Sequence, residues 1–129
     1  MENAVKKVLI VEDEGSVNYA MSLKFDEIKK IDMIYAKDGE EGLRLALEKK
    51  PDLILLDIIM PKMNGIEMLK RLRQDERGKN IRVMVLSNLS DPIKEKEVRE
   101  LGVDDYIIKA DWNLKNIVKK VMSILEKQS

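Results

Sequence analysis

The sequence predicts an α/β protein built on a doubly wound parallel sheet of five strands, with five helices covering both faces. Five short apolar runs alternate along the chain with five segments of helical patterning, as in repeated strand–helix units. One run, Leu53–Leu56, is apolar without interruption, which is typical of a strand buried on both faces. The length of 129 residues suits a single domain, residues 1–129, with one core.

The first half of the chain supplies the first two helices and the strands around them. Residues 8–11 form the first apolar run and end in three acids, and residues 33–36 form the second run. Mixed helical patterning between them predicts a helix over residues 15–28. Asp38, followed three residues later by a glutamate, is the pattern of a capping box and predicts the start of the second helix. Pro51 ends that helix just before the third strand.

The third helix and the fourth strand follow the central run. Asn64, again with a glutamate three residues on, is expected to cap the third helix. Gly78 is expected to end this helix, because glycine favours the backbone conformation found just past helix ends. Residues 81–86 then form the fourth apolar run, which stops at Ser87.

The last part of the chain carries two helices and the fifth strand. Ser90 or Asp91 can cap the fourth helix, and Gly102 closes it. Residues 106–108 form the fifth strand. Asn113 caps the last helix, which has the clearest apolar stripe of the chain: Leu114, Ile117, Val118, Val121 and Leu125.

Composition limits the chemistry. Lysine plus arginine and aspartate plus glutamate number 24 each, so the formal net charge is zero and nothing global attracts nucleic acid or an anionic membrane. The chain has no cysteine and no histidine, which excludes thiol and Ser–His catalysis, disulfides and zinc sites built on imidazole or thiolate. No apolar run is long enough for a membrane span and no signal-peptide pattern precedes the first strand, so we expect a cytoplasmic protein.

Four of the five predicted strands end at polar side chains. Glu12 and Asp13 follow the first strand, Asp57 the third, Ser87 the fourth and Lys109 the fifth. Parallel strands present their carboxyl ends at one edge of the sheet, where open α/β sheets bind ligands. Each residue alone is also explained as an ordinary turn or surface residue. Their coincidence predicts that all five side chains meet in one crevice.

Three carboxylates in one crevice repel each other unless a cation neutralises them or their pKa values rise. An oxygen-only ligand set suits a hard cation, and Mg²⁺ takes one or two carboxylates while keeping waters; Mn²⁺ is expected to substitute. A carboxylate such as Asp57 can form an acyl-phosphate, Lys109 can neutralise a phosphoryl oxygen, and Ser87 can donate a hydrogen bond. The sequence therefore predicts phosphoryl chemistry at this edge.

These residues resemble the receiver domain of response regulators, the CheY-like family. The resemblance extends from Lys7 to about Glu126 and is carried by residues 8–13, 57–65, 86–87 and 101–109. Its most specific parts are the D-x-x-M-P-x-x-x-G run that begins at Asp57 and the D-D-Y-x-x-K run that ends at Lys109. The resemblance implies a flavodoxin-like strand order of 2-1-3-4-5.

The resemblance also implies roles. Asp57 corresponds to the phosphoacceptor, and Glu12, Asp13 and the backbone carbonyl of Ile59 correspond, with Asp57, to the Mg²⁺ site. Lys109 and Ser87 correspond to the contacts with phosphoryl oxygens. Ser87 and the aromatic Tyr106 form the switch that repacks the face made by helix four, strand five and helix five. The implied donor is a phosphohistidine on a sensor histidine kinase or a histidine phosphotransfer protein.

The sequence departs from the family pattern at three places. Ala110 follows Lys109 where the family usually has proline after a cis bond; we expect the bond here to be cis as well, at a cost of roughly 2.5–4 kcal/mol. Asn88 stands where a small residue is usual, so it either narrows access to the phosphoacceptor or adds a hydrogen bond to the phosphoryl group. Ile59 and Leu89 are apolar at the two variable positions that flank the site, and we expect them to hinder water and lengthen the life of an acyl-phosphate.

Two other functions stay open on the sequence alone. A degenerate receiver would bind a partner without being phosphorylated. A Mg²⁺-dependent phosphohydrolase of the haloacid-dehalogenase type also uses aspartate, but its D-x-D after the first strand and its cap insertion are not seen. The chain also lacks the G-x-x-x-x-G-K-[ST] and G-x-G-x-x-G nucleotide motifs. We expect a signalling switch that is not an enzyme beyond its own phosphorylation and dephosphorylation.

The expected output face lies around Ile93, Lys94, Glu97, Tyr106 and Trp112, where an exposed Trp112 would be a candidate partner anchor. We expect no effector segment after the fifth helix. We therefore expect a stand-alone receiver, or a fragment of a longer regulator, that acts as a monomer or weak dimer on a downstream protein. Direct binding to nucleic acid or to a membrane is not expected.

Overall fold

A computed structural model describes residues 5–28 and 30–127. The strands are β1 Lys6–Val11, β2 Ile31–Ala36, β3 Leu53–Leu56, β4 Val83–Ser87 and β5 Asp105–Ile108. The helices are α1 Gly15–Phe25, α2 Gly39–Lys49, α3 Gly65–Gln74, α4 Pro92–Glu100 and α5 Leu114–Glu126, with a 3₁₀ turn, Lys109–Asp111, between β5 and α5. None of the helices in the described ranges has the length and apolar character that crossing a membrane requires.

The five strands form one parallel sheet in the order β2-β1-β3-β4-β5, which confirms the predicted class and the order implied by the resemblance. Val11 at the end of β1 lies opposite Ala36 of β2 and Leu56 of β3. On the other side of the sheet, Ser87 at the end of β4 lies opposite Ile108 of β5. Because all strands run the same way, their carboxyl ends lie along one rim.

Successive strand residues point into two cores on opposite faces of the sheet. Val8 and Ile10 of β1 face the core formed with α1 and α5, whereas Leu9 and Val11 face the core formed with α2, α3 and α4. Both faces are therefore covered, and β3 is buried along its whole length. Each fully buried aliphatic side chain stabilises the fold by roughly 1.5–3 kcal/mol, so the buried central strands fix the positions of the residues at their carboxyl ends.

The helices that follow β2, β3, β4 and β5 begin where the sequence predicts. In each, an Asp or Asn side chain accepts a hydrogen bond from a first-turn N–H, and these caps are Asp38, Asn64, Asp91 and Asn113. Glu41 accepts from the N–H of Lys37 at 2.9 Å, one residue before the cap, so the return hydrogen bond of a capping box, to the N–H of Asp38, is not the one formed. In contrast, Glu14 precedes α1 without capping it through its side chain.

Some predicted element ends were wrong. α1 ends at Phe25 and not at Ile28, and the fully buried Phe25 closes its inner face. α3 ends at Gln74, four residues before Gly78, because the backbone of Asp75 is extended (φ −97°, ψ 132°). Gly78 lies instead in the turn that follows, where it is buried. β4 correspondingly begins at residue 83 and not at residue 81.

Candidate functional site

The polar side chains that follow four of the strands meet at one rim. Glu12 lies after β1, Asp57 after β3 and Lys109 after β5, while Ser87 ends β4. Their exposed fractions are 2, 5, 6 and 0%, and no other polar or charged side chain in the described residues is buried. Burying charge costs free energy unless it is paired. Glu12 and Asp57 both contact Lys109, so the buried charges of the described residues lie in one cluster. Such a cluster indicates a functional site and not a contribution to stability. Asp13 lies exposed beside it.

The ammonium group of Lys109 is the centre of the cluster. Its Nζ lies 2.6 Å from Glu12 Oε1, 3.2 Å from Glu14 Oε1 and 3.4 Å from Asp57 Oδ2. One buried cation thus faces three carboxylates, of which only Glu14 is substantially exposed. The single positive charge of Lys109 is consequently shared among the three carboxylates and does not fully neutralise any one of them.

The two buried partners have perturbed pKa values. Burial, together with a smaller effect of the nearby charge of Asp57, raises the pKa of Glu12 to about 7 in spite of the lowering effect of hydrogen bonds from Lys109 and from the N–H of Glu14. Burial alone would lower the pKa of Lys109, but its hydrogen bond to Glu12 and the charge of Asp57 outweigh burial and raise it. Glu12 therefore holds its proton unusually well, while Lys109 stays charged.

The acids also form a compact set of oxygen ligands. One carboxylate oxygen each from Glu12, Asp13 and Asp57 lies within 4.8 Å of the others. This spacing and the oxygen-only chemistry fit a hard divalent cation such as Mg²⁺. The backbone N–H of Ile59 donates to Asp57 Oδ1 at 3.2 Å, so the turn after β3 orients the carboxylate. The predicted use of the Ile59 carbonyl as a ligand stays a prediction.

A chain of hydrogen bonds joins the two predicted switch residues. The N–H of Leu89 donates to Ser87 Oγ at 3.3 Å, and the Tyr106 hydroxyl donates to the carbonyl oxygen of Leu89 at 2.9 Å. Tyr106 is 7% exposed, so its ring points into the fold. Ser87 and Tyr106 are therefore connected through the backbone of a single residue.

The expectation of a cis bond between Lys109 and Ala110 was wrong. No peptide bond in the described residues is cis. The chain after β5 enters a 3₁₀ turn in which the N–H of Trp112 donates to the Lys109 carbonyl at 3.2 Å. Since Lys109 reaches Asp57 from this trans arrangement, nothing offsets the roughly 2.5–4 kcal/mol that a cis bond without proline costs.

Sequence reasoning missed two contributors to the site. Glu14 reaches Lys109 from 95 residues away in the chain, and Asn18 donates from Nδ2 to the backbone carbonyl of Glu12 at 3.0 Å. Glu14 stood in the acidic turn after β1, but a turn acid gives no sign of its partner. Asn18 follows one helical turn later in α1, and no pattern in the sequence distinguished it from a surface residue.

The predicted output face is only partly a surface. Ile93 is 82% exposed on α4, and Glu97 forms an ion pair with Lys70 of α3 at 3.3 Å. Tyr106 is buried, and Trp112 is half-buried against the core between the sheet, α1 and α5. Trp112 therefore has a structural contact that an exposed partner anchor would not have.

Comparisons with known proteins cover most of the chain. The family model for the response regulator receiver domain matches residues 8–122. The PhoP alkaline phosphatase synthesis transcriptional regulatory protein of Bacillus subtilis is 35% identical, over 95% of this chain and 49% of that protein. The DNA-binding dual master transcriptional regulator RpaA of Synechocystis is 31% identical, over 94% of this chain and 49% of that protein. The chain thus spans about half the length of these curated relatives.

Solved structures agree with the fold. The receiver domain of the Francisella response regulator 1452 superposes with a TM-score of 0.84 at 31% identity, covering 96% of this chain and 99% of that one. The chemotaxis protein CheY4 of Vibrio cholerae gives a TM-score of 0.83 at 27% identity, covering 94% and 99%.

Proposed function

The chain belongs to the response regulator receiver domain family, the curated relatives described above are transcriptional regulators and not enzymes, and we propose that it is a two-component phosphorylation switch with Asp57 as phosphoacceptor. One observation carries this proposal: the buried ammonium of Lys109 lies 3.4 Å from Asp57 Oδ2, beside an acid cluster that fits a divalent cation. A buried carboxylate next to a fixed cation is suited to receive a phosphoryl group, because the cation offsets the charge that the group brings.

In the proposed step a carboxylate oxygen of Asp57 attacks the phosphorus of a phosphohistidine on a sensor histidine kinase or histidine phosphotransfer protein. An O–P bond forms, the N–P bond breaks, and the imidazole nitrogen leaves with the bonding electron pair and takes a proton from solvent. Lys109 pairs with one phosphoryl oxygen and Ser87 donates a hydrogen bond to another. The 129 residues contain no histidine, so the phosphohistidine lies outside this sequence.

Receiver domains generally bind Mg²⁺ at an acidic pocket, and the cluster of Glu12, Asp13 and Asp57 is of that kind. We assign these three carboxylates and the Ile59 carbonyl as its ligands, with Mn²⁺ as a substitute of the same ligand preference. When bound, the ion supplies positive charge that offsets the mutual repulsion of the acids and the negative charge of the phosphoryl oxygens. Without it, Lys109 is the one buried cation that the described residues offer to this cluster.

The output follows from the hydrogen-bonded connection between Ser87 and Tyr106. A phosphoryl group on Asp57 adds negative charge and acceptor oxygens, and Ser87 turns its hydroxyl toward them. Movement of Ser87 is passed to Leu89 and Tyr106, which repacks the face formed by α4, β5 and α5. With zero formal net charge the sequence has no general attraction to nucleic acid, so the target proposed for this face is a protein.

The donor is proposed to dock on α1. Tyr19 and Leu23 are 66% and 53% exposed, and residues four apart lie on the same face of a helix. α1 begins at the rim directly after the acidic turn, so a helical protein seated on this face brings its phosphohistidine close to Asp57. The predictions of a cytoplasmic location and of a monomer or weak dimer stay predictions.

Phosphorylation by a small donor tests the function directly. Acetyl phosphate and Mg²⁺ should add the mass of one phosphoryl group to the intact protein, and a chelator should prevent the addition. Asp57→Asn should abolish it. Asp111→Asn is the matched control, because Asp111 is an exposed aspartate in the turn next to Lys109, and it should react like the unmodified protein.

The contrary result is also informative. If the folded protein gains no mass with acetyl phosphate or phosphoramidate at saturating Mg²⁺, the switch is wrong and a phosphorylation-independent binding module takes its place. If mass is gained equally by Asp57→Asn, another side chain is the acceptor and the assignment of Asp57 fails.

A further inference from the structure

A second contact, besides the hydrogen bond to Leu89, holds Tyr106 in its inward position. The Arg99 guanidinium of α4 lies over the Tyr106 ring, with its central carbon 5.6 Å from the ring centroid. That distance is within the range of a cation–π interaction. Tyr106 is thus held at both ends, by Leu89 at the hydroxyl and by Arg99 at the ring face.

Arg99 is itself held in place by a neighbour on the same helix. Its Nε donates to Glu95 Oε2 at 2.9 Å, and the two residues are one helical turn apart. The Glu95 carboxylate holds the guanidinium in place without displacing it from the ring, since Glu95 accepts from Nε while the central carbon lies over the ring. Half of the Arg99 side chain is exposed, so its removal leaves no buried charge unpaired and should not unfold the protein.

The effect of Arg99 reaches the phosphorylation site through Leu89. With Tyr106 inward, the Leu89 carbonyl is occupied by the tyrosine hydroxyl, and the Leu89 N–H points to Ser87 Oγ. Ser87 then accepts one hydrogen bond, and its own hydroxyl hydrogen is free to donate toward the rim. Holding the ring inward therefore holds the hydroxyl in an orientation that a phosphoryl oxygen can use.

We propose that Arg99 is a positioning residue that holds Tyr106 inward before phosphorylation and so preorganises Ser87 through the backbone of Leu89. The proposal rests on the switch described above and adds to it a bias that exists in the unphosphorylated protein. A half-exposed cation–π contact shifts an equilibrium by about two- to fivefold. The inward-to-outward ratio of Tyr106 should fall by about that factor when Arg99 is removed.

Fluorine NMR of protein labelled with 3-fluorotyrosine measures this ratio without any phosphoryl donor. The chain has three tyrosines, and Tyr106→Phe assigns the resonance of Tyr106. In Arg99→Ala this resonance should move toward its position in urea and gain a larger solvent-isotope shift, as the ring becomes exposed. Arg99→Lys, which keeps a cation, should displace the Tyr106 resonance less than Arg99→Ala does. Phosphorylation by phosphoramidate should slow in Arg99→Ala, by no more than the same two- to fivefold factor.

Arg71→Ala is the matched control. Arg71 donates from Nε to Glu67 Oε2 at 2.9 Å on α3, which is the same ion pair as that of Arg99, but over no aromatic ring among the described residues. It should change neither the Tyr106 resonance nor the rate.

An unchanged Tyr106 resonance in Arg99→Ala would overturn the proposal. A changed resonance with an unchanged phosphorylation rate would overturn the connection through Leu89 to Ser87. The resonance of Tyr106 is measured without a phosphoryl donor, so that result does not depend on whether Asp57 is the acceptor, which the mass measurement decides separately.

Discussion

Replacing Arg73 by alanine is expected to lower the free energy of unfolding by about 3 kcal/mol. Arg73 lies near the end of α3, and its guanidinium donates to backbone carbonyls of the turn before β4 and of the end of α4. The acceptors are Leu101 at 2.8 Å, Gly102 at 2.7 Å, Gly78 at 3.0 Å, Lys79 at 3.3 Å and Ile81 at 2.8 Å. One side chain thus joins the two connections that lead into β4 and β5.

The magnitude follows from which of these hydrogen bonds water can replace. The bonds to Leu101, Gly78 and Ile81 involve partly buried groups, and each is worth about 1 kcal/mol once screening by solvent is allowed for. The other two are exposed, so water takes over their role at little cost. Burial lowers the pKa of Arg73, partly offset by Asp104, yet the guanidinium stays charged at any pH at which the protein is folded.

Urea unfolding followed by circular dichroism measures the effect. Arg73→Lys should recover less than half of the loss, because a single ammonium group cannot donate to carbonyls of both segments, as the wider planar guanidinium does. Arg71→Ala, two residues earlier on the same helix, removes one exposed ion pair with Glu67 and should cost about 0.3–0.5 kcal/mol. If Arg73→Ala costs no more than Arg71→Ala at equal m-value, the hydrogen-bond reasoning is refuted.

Three further changes test other contacts. Asp38→Ala should cost about 1 kcal/mol near neutral pH by removing the α2 cap. Hydrogen bonding to a first-turn N–H lowers the pKa of Asp38, so its contribution is complete above the pKa of the unfolded chain and is lost as the pH falls through the pKa of the folded protein. The free energies of unfolding of the two proteins, measured in urea, should therefore converge in acid, whereas a constant difference would contradict this. Gly39→Ala places a Cβ onto a carbonyl of the turn between β3 and α3 and should lower the thermal midpoint, at a cost of about 1–3 kcal/mol, while Gly15→Ala, with nothing within 4 Å, should be neutral or stabilising. Joint replacement of Ile59 and Leu89 by polar residues should speed loss of the phosphoryl group, measured by mass against time; an unchanged half-life would remove the shielding role of these two side chains.

Helix starts and strands could be predicted because their signals lie within a few neighbouring residues. Asp38 and Asn64 cap helices by bonding an N–H three residues later, and Leu53–Leu56 shows its double burial in its own composition. Helix ends were less certain because several signals compete there. Gly78 predicted the end of α3, but the chain leaves the helix at Asp75 and uses Gly78 in the buried turn beyond it.

The core of the site could also be predicted, because a parallel sheet converts chain order into position. Once Asp57, Ser87 and Lys109 were placed at strand ends, their convergence needed no knowledge of side-chain contacts. The contacts that depend on distant partners could not be predicted. Glu14 finds Lys109 across 95 residues, and no local pattern in the sequence indicates that Arg99 lies over the ring of Tyr106.

The sequence by itself determined the order of strands and helices, the buried central strand and the group of acids, hydroxyl and amine at one rim. Tertiary structure alone decided that Lys109 pairs with three carboxylates and that its peptide bond to Ala110 is trans. It also decided that Arg73 joins the segments that lead into β4 and β5. The physical reason is the distance along the chain over which each interaction acts. Backbone propensity and hydrophobic periodicity act over one or two turns of chain, whereas ion pairs and shared hydrogen bonds depend on side chains that meet only after the sheet has formed.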